Sequence, residues 1–138
     1  MFQYATVRGD PAGFPSIPGL NVTRRILIVD DETVVRSYLV RALLIIGYEV
    51  VEAADGERAW QLALERSFDL MITDNRMPGM GGKELARLVR ARSPDTRILY
   101  VSGSQDPPAV QQDRVAYLRK PFGIDELLLQ VQELLAED

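Results

Sequence analysis

The stretch RILIVDDE, residues 25–32, places four apolar residues directly before three carboxylates. The apolar run ILIV has no polar alternation, which is typical of a strand that is buried on both faces of a parallel sheet. Asp30, Asp31 and Glu32 follow it, and like charges held close together raise one another's pKa values unless a cation lies between them. The stretch therefore predicts a buried strand that ends at a site for positive charge.

Further segments of strand length alternate with segments whose apolar residues recur at helical spacing. The predicted strands are residues 26–29, 48–53, 69–73, 97–101 and 115–118, and the predicted helices are residues 33–46, 56–66, 82–92 and 123–136. Repeated strand–helix units imply a parallel sheet with helices on both faces, because right-handed crossovers leave few other topologies. We therefore predict an α/β fold with a doubly wound, five-stranded parallel sheet.

The first predicted helix is apolar on two sides. Its expected core-facing residues are Val35, Leu39, Leu43 and Ile46, and Gly47 follows where a helix-ending glycine is common. The opposite side carries Val34, Tyr38 and Ile45, which is too apolar for a face that meets only water. This side is either a contact surface or a set of scattered surface residues.

Composition limits the classes of function. The chain has 138 residues, 46% of them hydrophobic, which suits one domain with one core. Its net charge of -4 argues against nucleic-acid binding, and no apolar run approaches the length of a membrane span. The absence of cysteine is compatible with the cytoplasm, where we expect the protein to reside. The absence of histidine excludes an imidazole base or a phosphohistidine within this chain.

The N-terminal segment, residues 1–23, differs from the rest of the chain. It contains three prolines and three glycines and shows neither helical nor alternating periodicity. It also lacks the apolar centre of a signal peptide. We predict a flexible tail over residues 1–23 and a folded domain over residues 24–138.

Polar side chains follow four of the five predicted strands. Asp30 and Asp31 follow the first strand, Asp74 the third, Ser102 the fourth and Lys120 the fifth. Ligands of doubly wound sheets bind beyond the carboxyl ends of the strands, so these residues are predicted to converge. A few carboxylate oxygens with open coordination positions suit Mg²⁺.

Taken alone, each of these residues has a simpler interpretation. Asp30 or Asp31 could be a helix N-cap, Ser102 a turn residue and Lys120 a solvated side chain. Gly79, Gly81 and Gly82, which follow Pro78, are predicted to serve turns only. The combination of residues at successive strand ends carries the functional prediction.

In this order, these residues resemble the receiver domain of two-component response regulators, over residues 24–138. The resemblance implies a flavodoxin-like strand order, 2-1-3-4-5, and it implies that Asp74 is the phosphoacceptor. It further implies that Asp30 and Asp31 bind Mg²⁺ together with Asp74 and the main-chain carbonyl of Arg76. A receiver is not an enzyme, although it catalyses its own phosphorylation and dephosphorylation.

The resemblance also assigns roles near the fifth strand. Lys120 pairs with the phosphoryl group, Ser102 donates a hydrogen bond to it, and Tyr117 is the aromatic residue that changes position when the domain switches. The peptide bond between Lys120 and Pro121 is implied to be cis.

The implied partners are other proteins. Since the chain has no histidine, the phosphoryl donor is a phosphohistidine on a separate histidine kinase or phosphotransfer protein, or else a small acyl phosphate. In receivers the first helix meets the kinase, which gives the side with Val34, Tyr38 and Ile45 a partner. We expect an unidentified output partner and a monomer or weak dimer.

One segment departs from the family pattern, and two other functions are considered. The segment between Ser102 and Tyr117 is short and contains Pro107 and Pro108, which predicts a shortened fourth helix, the one between the fourth and fifth strands of the family fold. The alternatives are a receiver that docks without phosphorylation and a haloacid-dehalogenase-like phosphatase. The phosphatase needs a second aspartate two residues after the nucleophile, where this chain has Arg76. Both a stand-alone regulator and the receiver of a hybrid kinase remain open.

Overall fold

The computed structural model describes residues 23–103 and 112–136, which form a five-stranded sheet and four helices. The strands are β1 (Arg25–Val29), β2 (Glu49–Ala53), β3 (Leu70–Asp74), β4 (Arg97–Ser102) and β5 (Val115–Arg119), and the helices are α1 (Thr33–Ile46), α2 (Gly56–Glu65), α3 (Gly82–Arg92) and α4 (Ile124–Ala136). Each of these elements was predicted, with ends that differ by at most one residue. Two predictions, the tail over residues 1–23 and the shortened helix between β4 and β5, depend on residues 1–22 and 104–111, which lie outside the described residues. No helix in the described ranges is long and apolar enough to cross a bilayer.

The sheet has the strand order β2-β1-β3-β4-β5, and all neighbouring pairs are parallel. This confirms the predicted doubly wound fold. The register aligns Val29 with Thr73, and Ser102 with Arg119. The carboxyl ends of β1, β3, β4 and β5 therefore lie along one edge of the sheet.

The apolar core lies on both faces of this sheet. In β1, Ile26 and Ile28 face the side covered by α1 and α4, whereas Leu27 and Val29 face the side covered by α2 and α3. Because both faces are covered, the strand has no polar alternation. The edge strands β2 and β5 are only partly buried, so burial on both faces holds for the central strands alone.

Helix α1 buries one side and exposes another. It ends at Gly47, which has a φ of 113° and donates its N–H to the carbonyls of Leu43 and Leu44. The prediction that Ile46 faces the core is wrong, because this last residue of the helix is 45% exposed. The predicted outward residues are exposed, namely Val34 at 82%, Tyr38 at 43% and Ile45 at 83%.

Candidate functional site

Three aspartates from two adjacent strands meet at the carboxyl edge of the sheet. Asp30 and Asp31 follow β1 directly, and Asp74 is the last residue of β3. One carboxylate oxygen from each lies within 4.8 Å of the other two. Asp30 and Asp74 are buried, whereas Asp31 is exposed. The structure thus brings together the three carboxylates that were predicted to converge.

Asp30 is the most buried of the three, and one of its oxygens lacks a partner. Its Oδ1 atom accepts a 2.8 Å hydrogen bond from the N–H of Glu32, and its buried Oδ2 atom has no hydrogen-bond partner among the described residues. Burial, aided by the charges of Asp74 and Glu32, raises the pKa of Asp30 to about 6, although the Glu32 N–H and the charge of Lys120 oppose this rise. A buried oxygen without a partner is costly, and a bound cation would remove that cost.

Helix α1 does not use Asp30 or Asp31 as its N-cap. The N-cap residue is Glu32, whose side chain makes no capping hydrogen bond. The simpler interpretation of the two aspartates as caps is therefore not what the structure shows.

Asp74 has its two oxygens in different surroundings. Oδ1 accepts a 3.2 Å hydrogen bond from the N–H of Arg76, and Oδ2 lies 3.5 Å from Lys120 Nζ. Burial is the main cause that raises the pKa of Asp74, while the Arg76 N–H and the charge of Lys120 act against it. The contact with the Arg76 main chain places that residue at the pocket, and the role of its carbonyl as a metal ligand stays a prediction.

Lys120 reaches the acidic pocket from the end of β5. Its main-chain N–H donates a 2.7 Å hydrogen bond to the Ser102 carbonyl, and its peptide bond to Pro121 is cis. The ammonium lies 3.5 Å from Asp74 Oδ2 and 3.4 Å from Glu32 Oε1. Burial lowers the pKa of Lys120, but the nearby carboxylates, Asp74 first, raise it by more. The pocket therefore contains a cation beside its acidic residues.

Ser102 and Tyr117 occupy different positions relative to this pocket. Ser102 is buried at the end of β4. This strand lies between β3, which ends in Asp74, and β5, which precedes Lys120. Tyr117 lies three residues before Lys120 and stacks on Tyr100 of β4, with ring centroids 4.9 Å apart and planes inclined at 27°. Tyr117 is thus near the pocket along β5 but packs against another aromatic ring.

Two residues that support the site, Gly82 and Arg36, were not predicted from the sequence to take part in it. At Gly82, a Cβ atom would collide with the carbonyl oxygen of Asp74, so this glycine lets α3 begin against the end of β3. Arg36 donates from Nη1 to the Asp30 carbonyl at 2.7 Å and from Nε to Glu52 at 2.9 Å. The sequence signals that could have indicated these roles were the position of Gly82 shortly after Asp74, and the position of Arg36 in the first turns of the helix that follows the carboxylates.

The chain is similar to known proteins over most of its length. The family model described as the response regulator receiver domain matches residues 26–132. The response regulator receiver protein CpdR of Brucella abortus is 34% identical over 118 residues, which cover 81% of this chain and 97% of CpdR. The response regulator GacA of Pseudomonas aeruginosa is 32% identical over 118 residues, or 81% of this chain. The match spans only 55% of GacA, so GacA is longer than this chain.

Solved structures show the same likeness. The receiver domain of the hybrid histidine kinase CckA superposes with a TM-score of 0.71 at 37% identity, covering 80% of this chain and 98% of that domain. The response regulator TrrA of Thermotoga maritima, crystallised in complex with Mg²⁺ and BeF, has a TM-score of 0.74 at 35% identity. That alignment covers 82% of this chain and all of TrrA.

Proposed function

The chain belongs to the response regulator receiver family, and we propose that it accepts a phosphoryl group on Asp74 from a partner histidine kinase or histidine phosphotransfer protein. The observation that carries this proposal is the position of Asp74. One of its oxygens faces Lys120 at 3.5 Å, while its carboxylate also groups with those of Asp30 and Asp31. A carboxylate that lies between an ammonium group and other carboxylates able to bind a metal ion suits phosphoryl transfer, because positive charge can then stabilise the phosphoryl oxygens. The family assignment replaces the phosphatase interpretation.

Magnesium fits this pocket. The three aspartates, together with the main-chain carbonyl of Arg76, would hold the ion, and the buried Oδ2 atom of Asp30 would gain the partner that it lacks. All of these ligands are oxygens, which suits a hard divalent cation. When bound, Mg²⁺ supplies positive charge that neutralises part of the phosphoryl charge. TrrA in complex with Mg²⁺ and BeF supports the same choice of ion for this chain.

The transfer proceeds by attack of an Asp74 carboxylate oxygen on phosphorus. An O–P bond forms as the P–N bond of the phosphohistidine breaks, and the leaving imidazole keeps the electron pair. The histidine comes from the partner because this chain contains none. Lys120 stabilises the negative charge of the phosphoryl oxygens, and Ser102 donates a hydrogen bond to one of them. Movement of Ser102 and Lys120 toward the phosphoryl group would then alter the packing of Tyr117.

The exposed side of α1 is the proposed contact surface for the kinase. Helix α1 begins directly after the acidic turn, so its first two turns, which contain Val34 and Tyr38, start at the end of the sheet where the pocket lies. Both side chains are exposed, at 82% and 43%. A partner that covers them would bring its phosphohistidine to the carboxyl edge of the sheet, where Asp74 lies.

Phosphoryl uptake from acetyl phosphate tests the proposal directly. Intact-mass measurement should show one added phosphoryl group on the wild-type chain with Mg²⁺, and none with EDTA or in Asp74→Asn. Asp95→Asn is a matched control, because this side chain is 93% exposed and pairs with Arg114 at the surface. A mass increase that persists in Asp74→Asn would refute the assignment. No increase in a folded wild-type chain would favour docking without phosphorylation.

A further inference from the structure

Glu32 is the third carboxylate of the stretch RILIVDDE, and the proposed chemistry gives it no role. It is the N-cap residue of α1, but its side chain makes no capping hydrogen bond. Instead, Oε1 lies 3.4 Å from Lys120 Nζ, across the edge of the sheet from the end of β1 to the end of β5. The Glu32 side chain therefore contacts the pocket and does not serve the helix.

The ammonium of Lys120 is shared between two carboxylates. It lies 3.4 Å from Glu32 Oε1 and 3.5 Å from Asp74 Oδ2, so neither contact is dominant by distance. The two carboxylates differ in exposure, since the Glu32 side chain is 61% exposed and that of Asp74 is 10% exposed. A phosphoryl group on Asp74 would add charged oxygens on the buried side, where charge–charge attraction is less screened.

We propose that Glu32 is a positioning residue that holds Lys120 in the unphosphorylated state and loses this contact when a phosphoryl group binds at Asp74. This inference rests on the proposed function. A contact that is present in only one of two states stabilises that state, so Glu32 opposes binding of the phosphoryl group. The same negative charge stands beside three aspartates and favours the binding of a cation there. Glu32 thus acts in opposite directions on the two ligands of the pocket.

Glu32→Gln tests the proposal, because it removes the charge and keeps the length of the side chain. Calorimetry on the full chain would measure Mg²⁺ binding alone, and then beryllofluoride binding at saturating Mg²⁺. We expect Mg²⁺ to bind roughly two- to fivefold more weakly and beryllofluoride roughly two- to fivefold more tightly, the range typical of exposed ion pairs. Both differences should shrink at high salt. If Glu32 only maintained the local structure, its replacement would weaken the binding of both Mg²⁺ and beryllofluoride.

Two further variants separate the contact from the charge. Glu32→Asp keeps the charge but withdraws the carboxylate from Lys120 by one methylene, so it should retain wild-type Mg²⁺ binding and still bind beryllofluoride more tightly. Glu133→Gln makes the same charge change on α4, near the opposite edge of the sheet, where Arg24 donates to the neighbouring Leu135 carbonyl. This control should leave both affinities unchanged.

The outcomes distinguish the positioning role from the proposed function. Beryllofluoride binding that is unchanged or weaker in Glu32→Gln would overturn the role of Glu32, as would wild-type beryllofluoride affinity in Glu32→Asp. In either case, labelling of Asp74 in the wild-type chain would leave the proposed function intact. A wild-type chain that neither binds beryllofluoride nor takes up a phosphoryl group would overturn both.

Discussion

Replacement of Asp30 by Asn is expected to stabilise the metal-free domain at neutral pH. Asp30 is 1% exposed, and its Oδ2 atom has no hydrogen-bond partner among the described residues. An asparagine at this position would be nearly the same size, and its side-chain oxygen can still accept the N–H of Glu32. The substitution therefore removes a buried charge and keeps the local hydrogen bond.

The magnitude follows from the pKa of Asp30, which burial raises from 3.8 to about 6. Such a rise corresponds to about 3 kcal/mol against the ionised form in the folded state. Between these two pH values the folded protein binds more protons than the unfolded chain, so its stability falls as the pH increases. The cost is absent below pH 3.8 and complete above about pH 6. The variant lacks this cost and should be more stable by up to about 3 kcal/mol at pH 8.

Denaturant unfolding with EDTA, at a series of pH values from about 4 to 8, measures this difference. Circular dichroism and the fluorescence of the single tryptophan, Trp60, would follow the transition. The free energy of unfolding of Asp30→Asn should match that of the wild type near pH 4 and exceed it progressively at higher pH. Mg²⁺ should stabilise the wild type more than the variant, because binding to the folded state adds to its stability.

Asp31→Asn provides the control, since it changes the same charge at the adjacent, exposed position. Its stability should stay close to that of the wild type across the pH series. The reasoning would be refuted by an Asp30→Asn variant that is less stable than the wild type at pH 8. It would also be refuted by a difference between the two proteins that does not depend on pH.

Three other predictions concern packing, docking and the pocket cation. Gly82→Ala should lower the free energy of unfolding by about 1–3 kcal/mol, because its Cβ would collide with the Asp74 carbonyl. In the control Gly81→Ala, the Cβ would lie 3.5 Å from its nearest neighbour, so the loss should be less than about 1 kcal/mol. Equal losses in thermal unfolding would contradict this argument. Tyr38→Ala should slow transfer from the cognate kinase by roughly tenfold, the loss of about 1.4 kcal/mol of contact, and leave labelling by acetyl phosphate unchanged; equal slowing with both donors would indicate a folding defect. Lys120→Ala should keep Mg²⁺ binding in calorimetry but slow phosphoryl uptake by about tenfold or more, and normal uptake by this variant would count against its role.

Features that depend on strand pattern were predictable from the sequence. Burial of β1 on both faces produces a continuous apolar run, and parallel strands bring their carboxyl ends to one edge, so the meeting of Asp30 with Asp74 followed from the order of elements. The position of Lys120 beside them depended on the strand order, which the family resemblance supplied.

Features that depend on side-chain reach or close packing were not predictable. Glu32 and Lys120 lie 88 positions apart and follow strands that are not neighbours, so no local pattern reports their contact. Gly82 was predicted to serve a turn only, because nothing but the approach of α3 to Asp74 distinguishes it from Gly81. Ile46 fitted the helical period of the core, but at the helix terminus the core no longer covers it.

The two hydrogen bonds of Arg36 hold one side of α1 in place, whereas the exposed residues on its other side are free of this constraint. This inward-facing guanidinium joins the Asp30 carbonyl to Glu52 of β2 and so fixes the first turns of the helix to the acidic pocket. Val34 and Tyr38 on the outward side take no part in that attachment. If the proposed kinase contact on α1 holds, substitution of single exposed side chains would redirect the protein to a different kinase and leave the proposed chemistry at Asp74 unchanged. A gene duplicate could acquire a separate signalling channel by this route.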